Sequence, residues 1–194
     1  MLTLCGESFE PAWTDFGGGV TRTLAWRQTV NAMGEIPVLE VDGVRLTQTA
    51  PVLLKLAGQY GRFGGETQEE QFELLRWLFW DNHKLTGYMA TYRFHRTFTP
   101  SPDPHVLDYF RKRLDDFLDI LDQHLQDNAF AIGERVTVAD FSMMAYLAYP
   151  GDETGYDFAN SHPAISAWLG RIADLPGWKS AYDLLPGKRL QHYV

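Results

Sequence analysis

The chain has 194 residues, 45% of them hydrophobic, which is ample for the core of one large domain or two small ones. Its formal net charge is −8 and its Lys and Arg residues are scattered singly, which argues against a nucleic-acid-binding surface. Apolar runs are short, no secretory signal opens the sequence, and the single Cys5 has no intramolecular disulfide partner, so the expectation is a cytoplasmic protein without a membrane span.

Residues 9–16 alternate loosely, with Phe9, Pro11, Trp13 and Asp15 against Glu10, Ala12, Thr14 and Phe16, and this predicts a strand. Gly17, Gly18 and Gly19 break it. No Lys-Ser/Thr pair follows these glycines, so they read as a loop into a helix rather than a phosphate cradle. A short helix carrying Leu24 and Trp26 is predicted over 21–30. The stretch NAMGEIPVLEVDGVRLTQTAPVLLKL, 31–56, then changes period twice. A Gly-Glu-Ile-Pro turn leads into a strand at 37–41. Asp42-Gly43 is a two-residue turn signal, since both positions accept φ > 0, and a second strand follows at 44–47. From Thr49 a helix sets Val52, Leu53 and Leu56 on one face, and Gly61, Gly64 and Gly65 end it.

Beyond Gly65 the strand signals stop. Thr67-Gln-Glu-Glu70 reads as a capping box opening a helix over 68–96, with Phe72, Leu75, Leu78 and Phe79 at helical spacing. Ser101-Pro-Asp-Pro104 separates it from another helix, where Val106, Phe110, Leu114, Phe117 and Leu121 recur every three or four residues. Thr137-Val-Ala-Asp140 is a second box, with Asp140 in the role of the usual Glu and Thr137 as N-cap, and it opens an apolar helix over 141–149. His162-Pro163 starts the next helix, Leu175-Pro-Gly177 ends it, and a turn follows around 178–185. A small mixed unit over 1–62 and an all-helical unit over 66–194 are therefore expected. The six histidines show no i, i+4 pair and no Cys/His cluster, so no metal site is expected, and no nucleophile-elbow pattern is present.

Three stretches, in order, carry a family resemblance. NAMGEIPVLEVDGVRLTQTAPVLLKLA resembles the end of the second helix through the third helix of glutathione transferases. AIGERVTVADFSMMAYLAYP resembles that family's buried helix with its Thr-x-x-Asp cap, and HPAISAWLGRIADLPGW its Pro-x-x-x-x-Trp helix. The resemblance implies a thioredoxin-like N-terminal domain followed by an all-helical C-terminal domain, with glutathione as substrate, a small electrophile as its partner and no metal. It implies a homodimer formed through 49–60 and 68–96. It also implies a cis peptide before Pro37 that turns the Ile36 amide and carbonyl toward glutathione's cysteinyl moiety, as an added strand would pair. Without the resemblance, the residues favour a trans turn proline at a strand start. Gln48 and Thr49 match the residues that take the γ-glutamyl end. There a helix N-terminus holds the carboxylate, the Thr49 hydroxyl adds a donor, and the Gln48 oxygen takes the ammonium. Without the resemblance, Thr49 reads as an N-cap. Glu35 stands where relatives often carry Lys or Gln, and an acid there is expected to repel the glycyl carboxylate. The rings and polar tips of Trp80, His83, Tyr88 and Tyr92 suit either an electrophile pocket or packing.

At the front, MLTLCGESFEPAWTDF resembles the end of the family's first helix, its exit and the second strand. The resemblance thus implies that the first strand and most of the first helix, which hold the family's catalytic Ser, Tyr or Cys, have no counterpart in this sequence. Cys5, Thr3 and Ser8 fall at the helix exit, away from the ligand edge, and no catalytic residue is named. The segment 9–16 is expected to move inward and pair with 37–41. Two functions stay open: conjugation of glutathione to small electrophiles where the activating element is supplied, and a catalytically inactive binding or structural protein.

Overall fold

The structure, a computed structural model, describes residues 1–185 with His192 and Tyr193. After 3-10 turns at Thr3–Cys5 and Val20–Arg22 comes a short helix, α1 (Leu24–Thr29), whose first turn is capped by Thr23 accepting the Trp26 N–H at 3.2 Å. Strands β1 (Val38–Val41) and β2 (Val44–Thr47) pair antiparallel, Val38 opposite Thr47 and Val41 opposite Val44. Asp42 and Gly43 join them with φ of 52° and 75°, the double positive φ that a tight hairpin of matching twist requires. Glu40 and Arg45 face each other across the ladder and bond at 2.8 Å.

Among the described residues the sheet has only these two strands, so the expected strand at 9–16 beside β1 is not formed. Local turn bonds win there. The Gly18 N–H goes to the Asp15 carboxylate at 2.8 Å, Gly19 N–H to Phe16 C=O and Val20 N–H to Asp15 C=O, folding the end of the segment back on itself. Pro11 has no N–H to give a ladder, and Phe9, Trp13 and Phe16 are left exposed.

Helix α2 (Thr49–Tyr60) buries Leu53, Leu56 and Ala57 and stops at Gly61 in the left-handed region. From there the described residues form helices and no strand. α3 (Gln68–Trp80) starts at Thr67, which accepts the Glu70 N–H at 3.2 Å, while the Glu70 carboxylate takes the Glu66 N–H at 2.7 Å and pairs with Arg135. Arg135 also donates to Gly64 C=O at 2.9 Å, fastening the linker to the helical part. The single helix expected over 68–96 is interrupted by π turns at Asp81–Leu85 and Phe94–Phe98, with α4 (Thr86–Arg93) between them. The first turn closes with Thr86 N–H on Asp81 C=O, five residues back.

The Asp81 carboxylate is buried there. It accepts the Thr86 N–H at 3.2 Å, the Thr86 hydroxyl at 2.7 Å and the Ser142 hydroxyl at 2.5 Å. Burial raises its pKa above the usual 3.8, and the hydrogen bonds only partly oppose this. A carboxyl held protonated more tightly when folded adds stability that is fully present below pH 3.8 and lost as pH rises through the raised value. Asp81→Asn keeps an acceptor for Thr86 and offers Ser142 a donor without a buried charge. The variant is expected to match or exceed the parent at neutral pH and to flatten this fall, read from melting temperatures across the acid range. A parent curve without that fall would refute the assignment.

The remaining helices are α5 (Pro104–Asp127), α6 (Val138–Leu147), α7 (Gly151–Thr154), α8 (Phe158–Ser161), α9 (Pro163–Ala173) and α10 (Ala181–Leu184). α6 is apolar on nearly every side and sits at the centre, as such a helix must. Leu114, Leu118 and Leu121 of α5 and Ile165, Trp168 and Ile172 of α9 join it in the core. The same buried cluster takes in Leu4, Leu53 and Ala57 of the mixed part. The N-terminal turn is anchored too, by Arg62 donating to Leu4 C=O at 2.8 Å.

Candidate functional site

The start of α2 is open. Gln48, its N-cap, lies at φ 69°, ψ 131°, a conformation costing a non-glycine residue about 1–3 kcal/mol. Its carbonyl accepts the Val52 N–H at 3.1 Å, and Pro51 has no N–H. That leaves the N–H groups of Thr49 and Ala50, which find no acceptor among the described residues, with the exposed Thr49 hydroxyl beside them. Two free amides at the positive end of a helix form a carboxylate cradle.

The second half of the site is the backbone before β1. Buried Asn31 shapes it: its Nδ2 donates to Glu35 C=O at 2.8 Å, its Oδ1 accepts the Met33 N–H at 3.0 Å, and its carbonyl accepts the Gly34 N–H at 2.9 Å. Gly34 is at φ +72°, where an added Cβ would fall 2.9 Å from both Thr21 C=O and the Arg27 guanidinium, so only glycine fits. This clamp delivers the Ile36–Pro37 peptide, which is cis. Ile36 is 44% exposed, and its N–H and C=O take no hydrogen bond among the described residues. Gln48 ties the halves together, its Nε2 donating to Glu35 Oε2 at 2.6 Å and lying 3.1 Å from Met33 Sδ. Glu35, Ile36, Pro37, Gln48 and Thr49 thus share one edge. Asn31 was not foreseen, although an Asn three residues before a glycine in a turn is a recognisable backbone-bonding signal.

Thr137 and Asp140 belong to the core instead. Asp140 Oδ2 accepts the Thr137 N–H at 2.8 Å and hydroxyl at 3.1 Å, while Oδ1 accepts the Ala131 N–H at 2.7 Å and Trp168 Nε1–H at 2.9 Å. Of the residues that suited a pocket or packing, three pack. Trp80 lies edge-on to Trp77 and Phe117, Tyr88 to Phe110 and Phe117, and Tyr92 is buried against Tyr156, while His83 is exposed. A large cleft lies elsewhere, about 1280 Å³ and walled by Met144, Tyr149, Phe158, Leu169, Trp178 and Tyr182. Among the described residues no group of three His, Cys, Asp or Glu is set to hold a metal ion, and no helix is long and apolar enough to cross a membrane.

A family profile for the C-terminal domain of glutathione S-transferase matches residues 93–181. The structure superposes on that of a glutathione S-transferase from Pseudomonas fluorescens with TM-score 0.84 and 29% identity, covering 92% of this chain and 88% of the other. The chain is glutathione-transferase-like, with that family's C-terminal domain over residues 93–181. Its fold is accordingly a thioredoxin-like N-terminal part with an all-helical C-terminal domain. Glutathione S-transferase F14 of Arabidopsis thaliana is 23% identical over 184 residues, 89% of this chain and 72% of the relative. A Burkholderia graminis glutathione transferase, solved with two glutathione molecules per subunit, matches at TM-score 0.76 and 17% identity over 91% of this chain and 78% of its own.

Proposed function

We propose that the chain binds glutathione along Ile36 and the N-terminus of α2 and serves its conjugation to a small electrophile. The observation that carries this reading is the open helix start. Thr49 and Ala50 N–H groups and the Thr49 hydroxyl stand ready for the γ-glutamyl carboxylate, next to an unpaired Ile36 backbone that suits an extended cysteinyl moiety. Ordering the tripeptide there is what these residues contribute. A thiol with a pKa near 8.5 needs a positioned donor or a helix N-terminus to ionise at neutral pH, and that role is assigned to no residue described here. In this reading the residues to 62 form the glutathione-binding domain and those from 66 onward the helical domain of a cytoplasmic protein.

Calorimetric titration with glutathione, paired with a conjugation assay on a model electrophile, tests the proposal. Thr49→Ala is expected to weaken glutathione binding about tenfold, the worth of one hydrogen bond to a charged group, with the melting temperature unchanged. Binding without turnover would leave a glutathione-binding protein rather than a transferase. No binding by the parent chain would end the reading.

The same reading includes a homodimer through α2 and α3. Phe72, Leu75 and Phe79 form one stripe along α3, and Phe72 and Phe79 are 63% and 72% exposed. A two-fold partner would cover such a stripe. Phe79→Glu is expected to shift a dimer to monomer in sedimentation velocity, and a parent protein already monomeric at micromolar concentration would refute the assembly.

A further inference from the structure

We infer that Glu35 is a specificity-determining residue of this site, selecting ligands whose γ-glutamyl end carries a free α-ammonium. The inference rests on the glutathione reading above. A carboxylate only accepts hydrogen bonds, so the Gln48 group 2.6 Å from Glu35 Oε2 has to be the amide NH2. The second hydrogen of that NH2 meets Met33 Sδ, a weak acceptor, at 3.1 Å. Both donors of the amide are therefore used, and a ligand meets only its oxygen. Glu35 keeps its other oxygen free of protein partners among the described residues. Two acceptors thus stand beside the open donors of Thr49 and Ala50. An α-amino acid head group has this polarity: its carboxylate goes to the helix start and its ammonium to Gln48 Oε1 and Glu35. Without Glu35 the Gln48 amide is free to turn its NH2 toward the carboxylate, and a ligand lacking the ammonium is no longer penalised. Glu35 is thus engaged with Gln48, and in this inference it serves the γ-glutamyl end rather than opposing the glycyl carboxylate.

The test titrates glutathione, its des-amino analogue glutaryl-cysteinyl-glycine, and the glycine monoethyl ester of glutathione into the parent chain, Glu35→Ala, Glu35→Gln and Thr49→Ala. The parent is expected to prefer glutathione over the des-amino analogue by about tenfold or more, the scale of one charge-assisted hydrogen bond. Glu35→Ala should lower glutathione affinity and erase most of that preference, with an unchanged circular dichroism spectrum. Glu35→Gln should keep part of it. Equal binding of both ligands by the parent, or an undiminished preference in Glu35→Ala, overturns the inference. So does tighter binding of the ester by the parent but not by Glu35→Ala, which would place Glu35 at the glycyl carboxylate. Weakening by Thr49→Ala alone would leave the glutathione reading standing and remove only this one, whereas no binding by the parent removes both.

Discussion

Asp140→Ala is expected to lower stability by at least about 3 kcal/mol, read as a fall in the urea midpoint at unchanged slope. The substitution strips the partner from three N–H groups at once, those of Ala131, Thr137 and the Trp168 indole, and all three residues are buried. Each orphaned donor costs about 1–3 kcal/mol. Burial already raises the Asp140 pKa, so removing the charge returns part of that loss. The remainder is large against the roughly 5–15 kcal/mol that holds a domain together. Asp140→Asn should fall between: Oδ1 still serves Ala131 and Trp168, but an NH2 would face the Thr137 N–H. A midpoint unchanged in Asp140→Ala would show that water or backbone movement satisfies those donors.

The second large effect concerns Arg93 and Glu153, a buried pair between α4 and α7. Glu153 is fully buried and accepts Arg93 Nε–H at 2.9 Å and the Tyr182 hydroxyl at 2.5 Å. Arg93→Met takes the guanidinium from that carboxylate, leaving it the Tyr182 hydroxyl and His192 Nε2 at 3.6 Å, and should cost about 3–5 kcal/mol. Glu153→Met is expected to cost less, because the guanidinium lies 3.6 Å over the Tyr149 ring and 5.0 Å from that of Phe98, which soften its loss of charge. The double variant should be more stable than Arg93→Met alone, since two apolar chains replace two desolvated charges. Burial first, and then the bond to Glu153, push the Tyr182 hydroxyl up to about 12. Glu153→Met should bring it back toward 10, followed by ultraviolet phenolate titration. Additive losses in the double variant would refute the coupling.

What the sequence disclosed and what it hid follow from the range of the interactions involved. The hairpin was legible because Asp42-Gly43 settles its turn within two residues. The opening of α6 was legible because its capping box is local. At α2, by contrast, the expected cap Thr49 is the first helical residue, and the N-cap is Gln48, which makes no side-chain cap bond. The alternation at 9–16 misled, since alternation describes a strand only where a neighbouring edge accepts it, and Asp15 with three glycines offered cheaper turns. The grouping of Glu35, Ile36, Gln48 and Thr49 was expected only through the resemblance to glutathione transferases. The bond from Gln48 to Glu35 was not, because it crosses 13 positions and depends on Gln48 holding a positive φ that sequence does not advertise for glutamine. Arg93 and Glu153 lie 60 residues apart, and only the fold makes them neighbours.

The π turns at Asp81–Leu85 and Phe94–Phe98 have a bearing on how this chain tolerates insertions and deletions. Each holds one residue more than the α-helical repeat, and one residue advances an α-helix by about 100°. Phe72 and Phe79 look outward before the first turn, while Met89 and Tyr92 face the core after it. Loss of one residue within 81–85 would remove that extra residue and restore an unbroken α-helix with Met89 and Tyr92 still toward the core. The same loss inside α3 or α4 would swing everything downstream by that angle. In most helices a missing residue can be absorbed at an end. Here the π turn can absorb it in mid-helix, at the place where the Asp81 carboxylate accepts from Thr86 and Ser142.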